Sequence, residues 1–276
     1  MEAGRSVVHE GCIYFASYAS ETMLWYSVNS NEWKEQSMLY SNPGLAIINE
    51  YVATIGGNQN GVPTNEVYLW KNHEWEQYES MTHARSDPAV VTSSDHNYVV
   101  VVNGNLVTNY DISATASVEV CNVRESTWKS VCPLPSPHTR FEVALCGGIL
   151  YVFPDQYSAG YKCSLSALTE DVNADWIIIR GPPQRLSTFA TLETCVICVG
   201  GADHESFGLQ DIYIYDEKTD SWHRIERTLE RGRMYCMVEV HNRKVFIVGG
   251  ISQLTPNRRN TNRLDKVEIF DLSCNG

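Results

Sequence analysis

Val196-Ile197-Cys198-Val199-Gly200-Gly201 is followed, ten residues on, by Ile212-Tyr213-Ile214-Tyr215-Asp216 and then by Trp222. The same phrase occurs as Val245-Phe246-Ile247-Val248-Gly249-Gly250 with Val267-Glu268-Ile269-Phe270-Asp271, and as Val52-Ala53-Thr54-Ile55-Gly56-Gly57 with Val67-Tyr68-Leu69 and Trp75. An apolar strand ending in two glycines, a variable loop, a second strand and a tryptophan make one unit. Weaker copies place Ala16-Ser17, Asn103-Gly104 and Phe153-Pro154 at the double-glycine position, and Trp33, Trp128 and Trp176 at the tryptophan. Both markers recur every 40 to 53 residues. A period of that length belongs to a solenoid or a propeller.

Each unit reads as four short strands. In the fifth they are Phe189–Thr191, Cys195–Val199, Ile212–Tyr215 and Trp222–Ile225, rich in β-branched and aromatic residues and separated by Gly, Asn, Asp and Ser. No long stretch has helical periodicity. A lone four-stranded sheet cannot bury both faces, whereas sheets stacked around an axis do. The expected fold is all-β: one six-bladed propeller over residues 1–276, with approximate blades 5–39, 40–81, 85–135, 138–183, 185–229 and 231–276. The glycines suit a sharp turn and close approach of the next blade, and the Tyr and Trp residues suit packing between blades.

These residues resemble the kelch repeat, whose signature is Gly-Gly, then Tyr-Asp (here Tyr215-Asp216, with Phe270-Asp271), then Trp. The resemblance spans nearly the whole chain and is weakest in the fourth unit, around residues 164–173. A seven-residue step separates Tyr26 from Trp33, Cys121 from Trp128 and Tyr215 from Trp222. Phe270 is the equivalent residue in the last unit, and the sequence ends at Gly276 before the corresponding tryptophan. The sixth blade is therefore expected to lack its outermost strand. That suggests a truncated form, a propeller with a natural three-stranded blade being the alternative.

Composition narrows the function. Hydrophobic residues make up 43% and charged residues 20% of the chain, as in an ordinary folded domain. The net charge of −12 speaks against general binding to nucleic acid or anionic membranes. There is no apolar run of membrane-spanning length and no signal-peptide core, so the expected compartment is the cytoplasm. Nine irregularly spaced cysteines suggest buried thiols rather than a disulfide framework. Cys195 and Cys198 have the spacing of a zinc or redox pair, but residues three apart on a strand point to opposite faces.

In four antiparallel strands, the connections between blades and the loops between second and third strands emerge on one face. The connections carry Gly4-Arg5-Ser6, Ala84-Arg85-Ser86, Thr139-Arg140-Phe141, Gln184-Arg185-Leu186 and Gly232-Arg233-Met234, with Tyr40-Ser41-Asn42-Pro43 in the second unit. In kelch adaptors of cullin-type ubiquitin ligases, arginines at this place often line the target-peptide pocket. The resemblance thus implies a partner site of Arg5, Tyr40, Arg85, Arg140, Arg185 and Arg233, reading a protein or acidic peptide. Arginine presents a planar fork of donors that matches a carboxylate. Bracing of strands is the other reading of the same arginines. The loops Asn58–Pro63, Gln156–Tyr161, Asp203–Phe207 and Gln253–Arg263 frame that face. The last contains Arg258, Arg259 and Arg263, which read as a solvated charge run.

The expected function is protein binding without catalysis, cofactor or metal, in use as the substrate-recognition part of a ubiquitin ligase whose ligase-binding region lies outside this sequence. An actin or cytoskeletal scaffold is the alternative within binding. A copper enzyme resembling galactose oxidase, which shares the propeller, is the alternative from another class. The histidines are scattered, although His83 and His138 fall near the arginines, and no phosphate-cradling or nucleophile motif is present.

Overall fold

The computed structural model describes residues 4–17, 20–108, 111–138, 140–155, 159–170, 174–253 and 262–272. Blades 1 to 5 are four-stranded antiparallel sheets and blade 6 has three strands among the described residues. From the axis outward, blade 1 comprises Gly4–His9, Cys12–Ser17, Thr22–Ser27 and Glu32–Ser37. Blade 2 comprises Gly44–Ile48, Tyr51–Ile55, Val67–Lys71 and Glu74–Tyr78, and blade 3 comprises Ala89–Thr92, Tyr98–Val102, Val118–Asn122 and Thr127–Val131. Blade 4 is Phe141–Cys146, Ile149–Pro154, Ala159–Ser164 and Ile177–Arg180. Blade 5 is Thr188–Leu192, Cys195–Val199, Asp211–Asp216 and Ser221–Thr228, and blade 6 is Met237–His241, Lys244–Val248 and Val267–Asp271. A short helix, Leu165–Glu170, joins the third and fourth strands of blade 4, where the repeat is weakest in sequence. It is far too short to cross a membrane, and no described helix is long and apolar enough to do so.

Apolar second strands explain the ring. Val196 and Cys198 pack with Tyr151 and Phe153 of blade 4, while Ile197 and Val199 pack with Val245 and Ile247 of blade 6. Both faces of the strand are buried, so its sequence is a continuous apolar run rather than an alternation. Equivalent cores lie between blades 1 and 2, 2 and 3, 3 and 4, and 6 and 1. Cys195 and Cys198 accordingly face opposite sides of blade 5.

Face-pointing corrects the repeat register. Ala16, Ile55, Val102, Phe153, Val199 and Val248 pair with Arg5, Gly44, Ala89, Glu142, Thr188 and Met237, respectively, on the innermost strands. The double-glycine position therefore falls on Ser17 in blade 1 and on Pro154-Asp155 in blade 4, one residue later than the sequence spacing suggests. Asn103-Gly104 adopts the same left-handed pair of φ angles, 56° and 119°, as Gly200-Gly201, 62° and 120°. Asn tolerates that region, whereas proline cannot reach it.

The tryptophans stitch neighbouring outer strands. The indole Nε1 of Trp75, Trp128, Trp176 and Trp222 donates to the carbonyls of Ser37, Glu79, Cys132 and Arg180 of the preceding blade, at 2.8 to 3.2 Å. In each case the acceptor lies four residues after the preceding blade's tryptophan. Trp33 packs on Phe15 and Tyr26 and is 44% exposed. Replacing Trp128 by Phe removes one such bond and some buried area. It is expected to cost about 1–2 kcal/mol, read as a lower urea midpoint with an unchanged slope.

Candidate interaction face

The connections between blades and the loops between second and third strands share one face, as the strand alternation requires. Backbone bridges fix which residues are equivalent there. Ser41, Ser86, Arg185 and Met234 pair with Asn58, Asn105, Ala202 and Ile251, each the residue after the double-glycine position. Tyr40, Arg85, Gln184 and Arg233 precede them. Asn42, Asp87, Leu186 and Tyr235 follow them, all at φ between 52° and 58°. In blade 4, His138 stands with Arg85, because its carbonyl accepts the Asn103 side chain where those of Arg85 and Arg233 accept Gly57 N–H and Gly201 N–H.

The five arginines therefore do not share one structural position. Arg85 and Arg233 are true equivalents, and both are 1% exposed. Arg85 donates to the Asn103 carbonyl and to Glu119 Oε1, each at 2.5 Å. Glu119 is fully buried and also accepts Thr82 N–H and His83 N–H. Arg233 repeats the arrangement with the Gly249 carbonyl and Glu268, which accepts Glu230 N–H. These two side chains are bound inside the scaffold. Burial works against ionisation of Glu119, but the Arg85 charge and the Thr82 N–H outweigh it and hold its carboxyl below the ordinary value. Neutral residues fill the same position elsewhere. Tyr40 donates to Glu66, Gln184 donates to Asp211, and His138 bonds Ser136, whose hydroxyl meets Tyr161.

Arg5 and Arg140 occupy the axis instead. Arg5 lies on the innermost strand of blade 1, within 3.3 Å of Asp87 in blade 3 and 3.2 Å of Glu142 in blade 4. Blades 1 and 4 are opposite in a six-membered ring, so this side chain crosses the axis and closes that end of the central channel. Arg140 lies 3.8 Å from Asp155 and stacks over the Tyr235 ring at 4.5 Å. Asp87, Glu142 and Asp155 outnumber the two guanidinium groups. Burial pushes Asp155 up to about 6, with Arg140 opposing and the neighbouring Glu142 adding to the rise. The sequence reading missed these carboxylates and Tyr235. Their signal is position: Asp87 and Tyr235 come two residues before the first ring-paired residue of the innermost strand.

Arg185 stands apart. It is exposed, and its guanidinium donates to the Asp203 and His204 carbonyls and the Ser206 hydroxyl. No carboxylate pairs with it among the described residues. It props the blade 5 loop that carries Phe207, itself 43% exposed. That loop bridges to blade 6 through Phe207 and Gln253, and Gly208 N–H donates to the Ser252 carbonyl. Val62, at the tip of the blade 2 hairpin Asn58–Gln59/Val62–Pro63, is 66% exposed. Arg258 and Arg259, and Gln156-Tyr157-Ser158, lie outside the described residues. His83 bonds Glu119 and His138 bonds Ser136. No group of three His, Cys, Asp or Glu that could hold a metal ion occurs among the described residues.

Fold and face together define a six-bladed, all-β propeller with its inter-blade connections gathered on one face. A family model described as the Kelch motif matches residues 185–227, which span blade 5. No curated protein matches the chain significantly. Among solved structures the chain is similar to one titled "Structure of YjhT", with a TM-score of 0.76 at 11% identity, covering 99% of this chain and 95% of that one. At that identity the likeness concerns the fold. Kelch propellers are generally protein-interaction scaffolds and typically non-enzymatic.

Proposed function

We propose that the chain binds a protein partner on the face bearing the inter-blade connections, centred on blades 5 and 6, with Arg185 taking a partner carboxylate and Phe207 an apolar side chain. The observation that carries this reading is that Arg185 is the exposed arginine of the five and has only carbonyl and hydroxyl partners among the described residues. Its charge is thus available to an incoming anion, and arginine and aromatic side chains are residue types enriched at protein interfaces. Arg5 and Arg140, with Tyr40 nearer the rim, frame the axis. An acidic peptide reaching it would compete with Asp87, Glu142 and Asp155 for the two guanidinium groups. Arg85 and Arg233 hold the scaffold on which the face is built. Cytoplasmic use as the recognition part of a cullin-type ubiquitin ligase follows from the resemblance to kelch adaptors, an analogy of fold.

Capture from a cell lysate, read by mass spectrometry, tests the reading with Arg185→Glu/Phe207→Ala. Both side chains are exposed, so the variant keeps the wild-type circular dichroism. Partners depleted about tenfold or more, equivalent to about 1.4 kcal/mol, support the blade 5 site. Equal recovery by both proteins moves the interface elsewhere. Cullin-ligase subunits among the partners would support the ligase role, and partners without them would place the chain among other scaffolds.

A further inference from the structure

The central channel contains a cavity of about 340 Å³, within the size range of small-ligand pockets. Its wall is made by the innermost strands, and the hydroxyls that approach it mostly satisfy neighbouring strand edges. Thr92 Oγ1 accepts Ile47 N–H, while the Thr188 and Thr191 hydroxyls donate to the Cys236 and Leu145 carbonyls. One ring of equivalent positions lies two residues into these strands from the axial cluster. Five blades place Val7, Ala46, Val91, Ala144 and Ala190 there, opposite Tyr14, Ala53, Val100, Tyr151 and Ile197. The sixth blade places Glu239, opposite Phe246 and on the cavity wall. Glu239 thus sets a carboxylate where every other blade has a small or branched apolar residue.

No cation pairs with Glu239 among the described residues. Ser6 of blade 1 offers it a hydroxyl, while the blade 5 strand presents only Thr188 and Thr191 as polar side chains on the cavity wall. The ionisable groups sharing the cavity are Arg5 and Glu142 at the axial cluster, already paired to each other, and His96 at the opposite end, 40% exposed to solvent. Desolvation pushes the Glu239 carboxyl up to about 7, with Ser6 opposing. A carboxylate without a counter-cation, on a wall that mixes hydroxyls with valine and alanine side chains, suits a cation with a short apolar body. We propose that the channel is a binding site for a small organic cation, a primary alkylammonium whose nitrogen pairs with Glu239 and whose alkyl chain lies against Val7, Val91 and Val240. This site is independent of the partner-binding face.

The probe is n-butylammonium, with n-butanol as its neutral counterpart, titrated calorimetrically into wild type and Glu239→Gln. The amide in that variant resembles the protonated acid, so the fold is retained. Wild type is expected to bind the ammonium at least tenfold more tightly than the alcohol, and Glu239→Gln to lose that preference. Affinity of the wild type should rise about 30-fold from pH 5.5 to 8.5 as Glu239 ionises, while the variant shows no such rise. Equal binding of ammonium and alcohol, unchanged ammonium binding by Glu239→Gln, or no measurable ammonium binding to folded wild type each overturns the proposal. Partner capture by Glu239→Gln should equal that of wild type, so the two sites fail separately.

Discussion

Arg85→Ala is expected to destabilise the propeller by about 3–5 kcal/mol, because it leaves the Glu119 carboxylate buried without its counter-charge. The guanidinium is 1% exposed and Glu119 is fully buried, so solvent cannot replace the lost partner. The Asn103 carbonyl and the Ser117 carbonyl lose a donor as well. Against a typical total stability of about 5–15 kcal/mol, such a loss brings the variant near unfolding. Urea unfolding at pH 7 measures it. The pH dependence supplies a second check. Glu119 is held below its ordinary value in the folded state, so its contribution is full above the unfolded carboxyl range and disappears as pH falls through the lower folded value. The gap between wild type and Arg85→Ala should therefore narrow in acid. Arg85→Met/Glu119→Gln should recover part of the loss, since Gln still accepts from Thr82 N–H or His83 N–H without a charge to bury. A loss below about 1 kcal/mol for Arg85→Ala would fit an exposed pair and contradict the buried clamp. Because Arg233 is built the same way, binding experiments that remove either arginine measure folding before recognition.

Gly200→Ala has the second largest expected effect, about 2–4 kcal/mol from backbone overpacking and a left-handed φ together. Gly200 sits at φ 62°, and a Cβ there would stand 2.3 Å from the Arg233 carbonyl oxygen. That oxygen accepts Gly201 N–H at 2.8 Å, so the carbonyl cannot retreat without parting blades 5 and 6. Gly56 repeats the contact with the Arg85 carbonyl at 2.5 Å. The Arg85 and Arg233 backbones and side chains thus act together: the carbonyl holds the preceding blade and the guanidinium holds its own. Thermal unfolding of Gly200→Ala should show a lower midpoint, and Gly147→Ala serves as the control. Gly147 has a comparable φ of 57° but open space around the added carbon, so its cost isolates the backbone conformation. Equal losses in the two variants would mean that the close approach contributes nothing.

Much of this architecture is legible in the order of residues along the chain. Apolar runs ending in Gly-Gly, with tryptophans at the same period, encode a unit whose sheet must be buried on both faces. A unit of that length can satisfy the demand only by stacking. The local pattern also anticipates a sixth blade with three strands among the described residues and places Cys195 and Cys198 on opposite faces. The pattern misleads by one residue where the glycines are absent, at Ser17 and Pro154. Strand side chains alternate, so the correct register is the one that sends Phe153 toward Phe189 of blade 5, and that contact is tertiary.

The sequence by itself determined the repeat, the propeller and the face on which the arginines lie, because each follows from local periodicity and strand direction. Only the tertiary structure decided what each arginine contacts. Arg85 meets Glu119 across its own blade, Arg5 meets Glu142 across the axis at a separation of 137 residues, and Arg185 meets carbonyls and a hydroxyl but no carboxylate among the described residues. Those differences arise from one- or two-residue offsets within connections of unequal length, which rotate similar side chains into the scaffold, over the channel or toward solvent. The isolation of Glu239 has the same origin, since a carboxylate in one strand becomes an anomaly only when ring closure sets it level with five apolar neighbours.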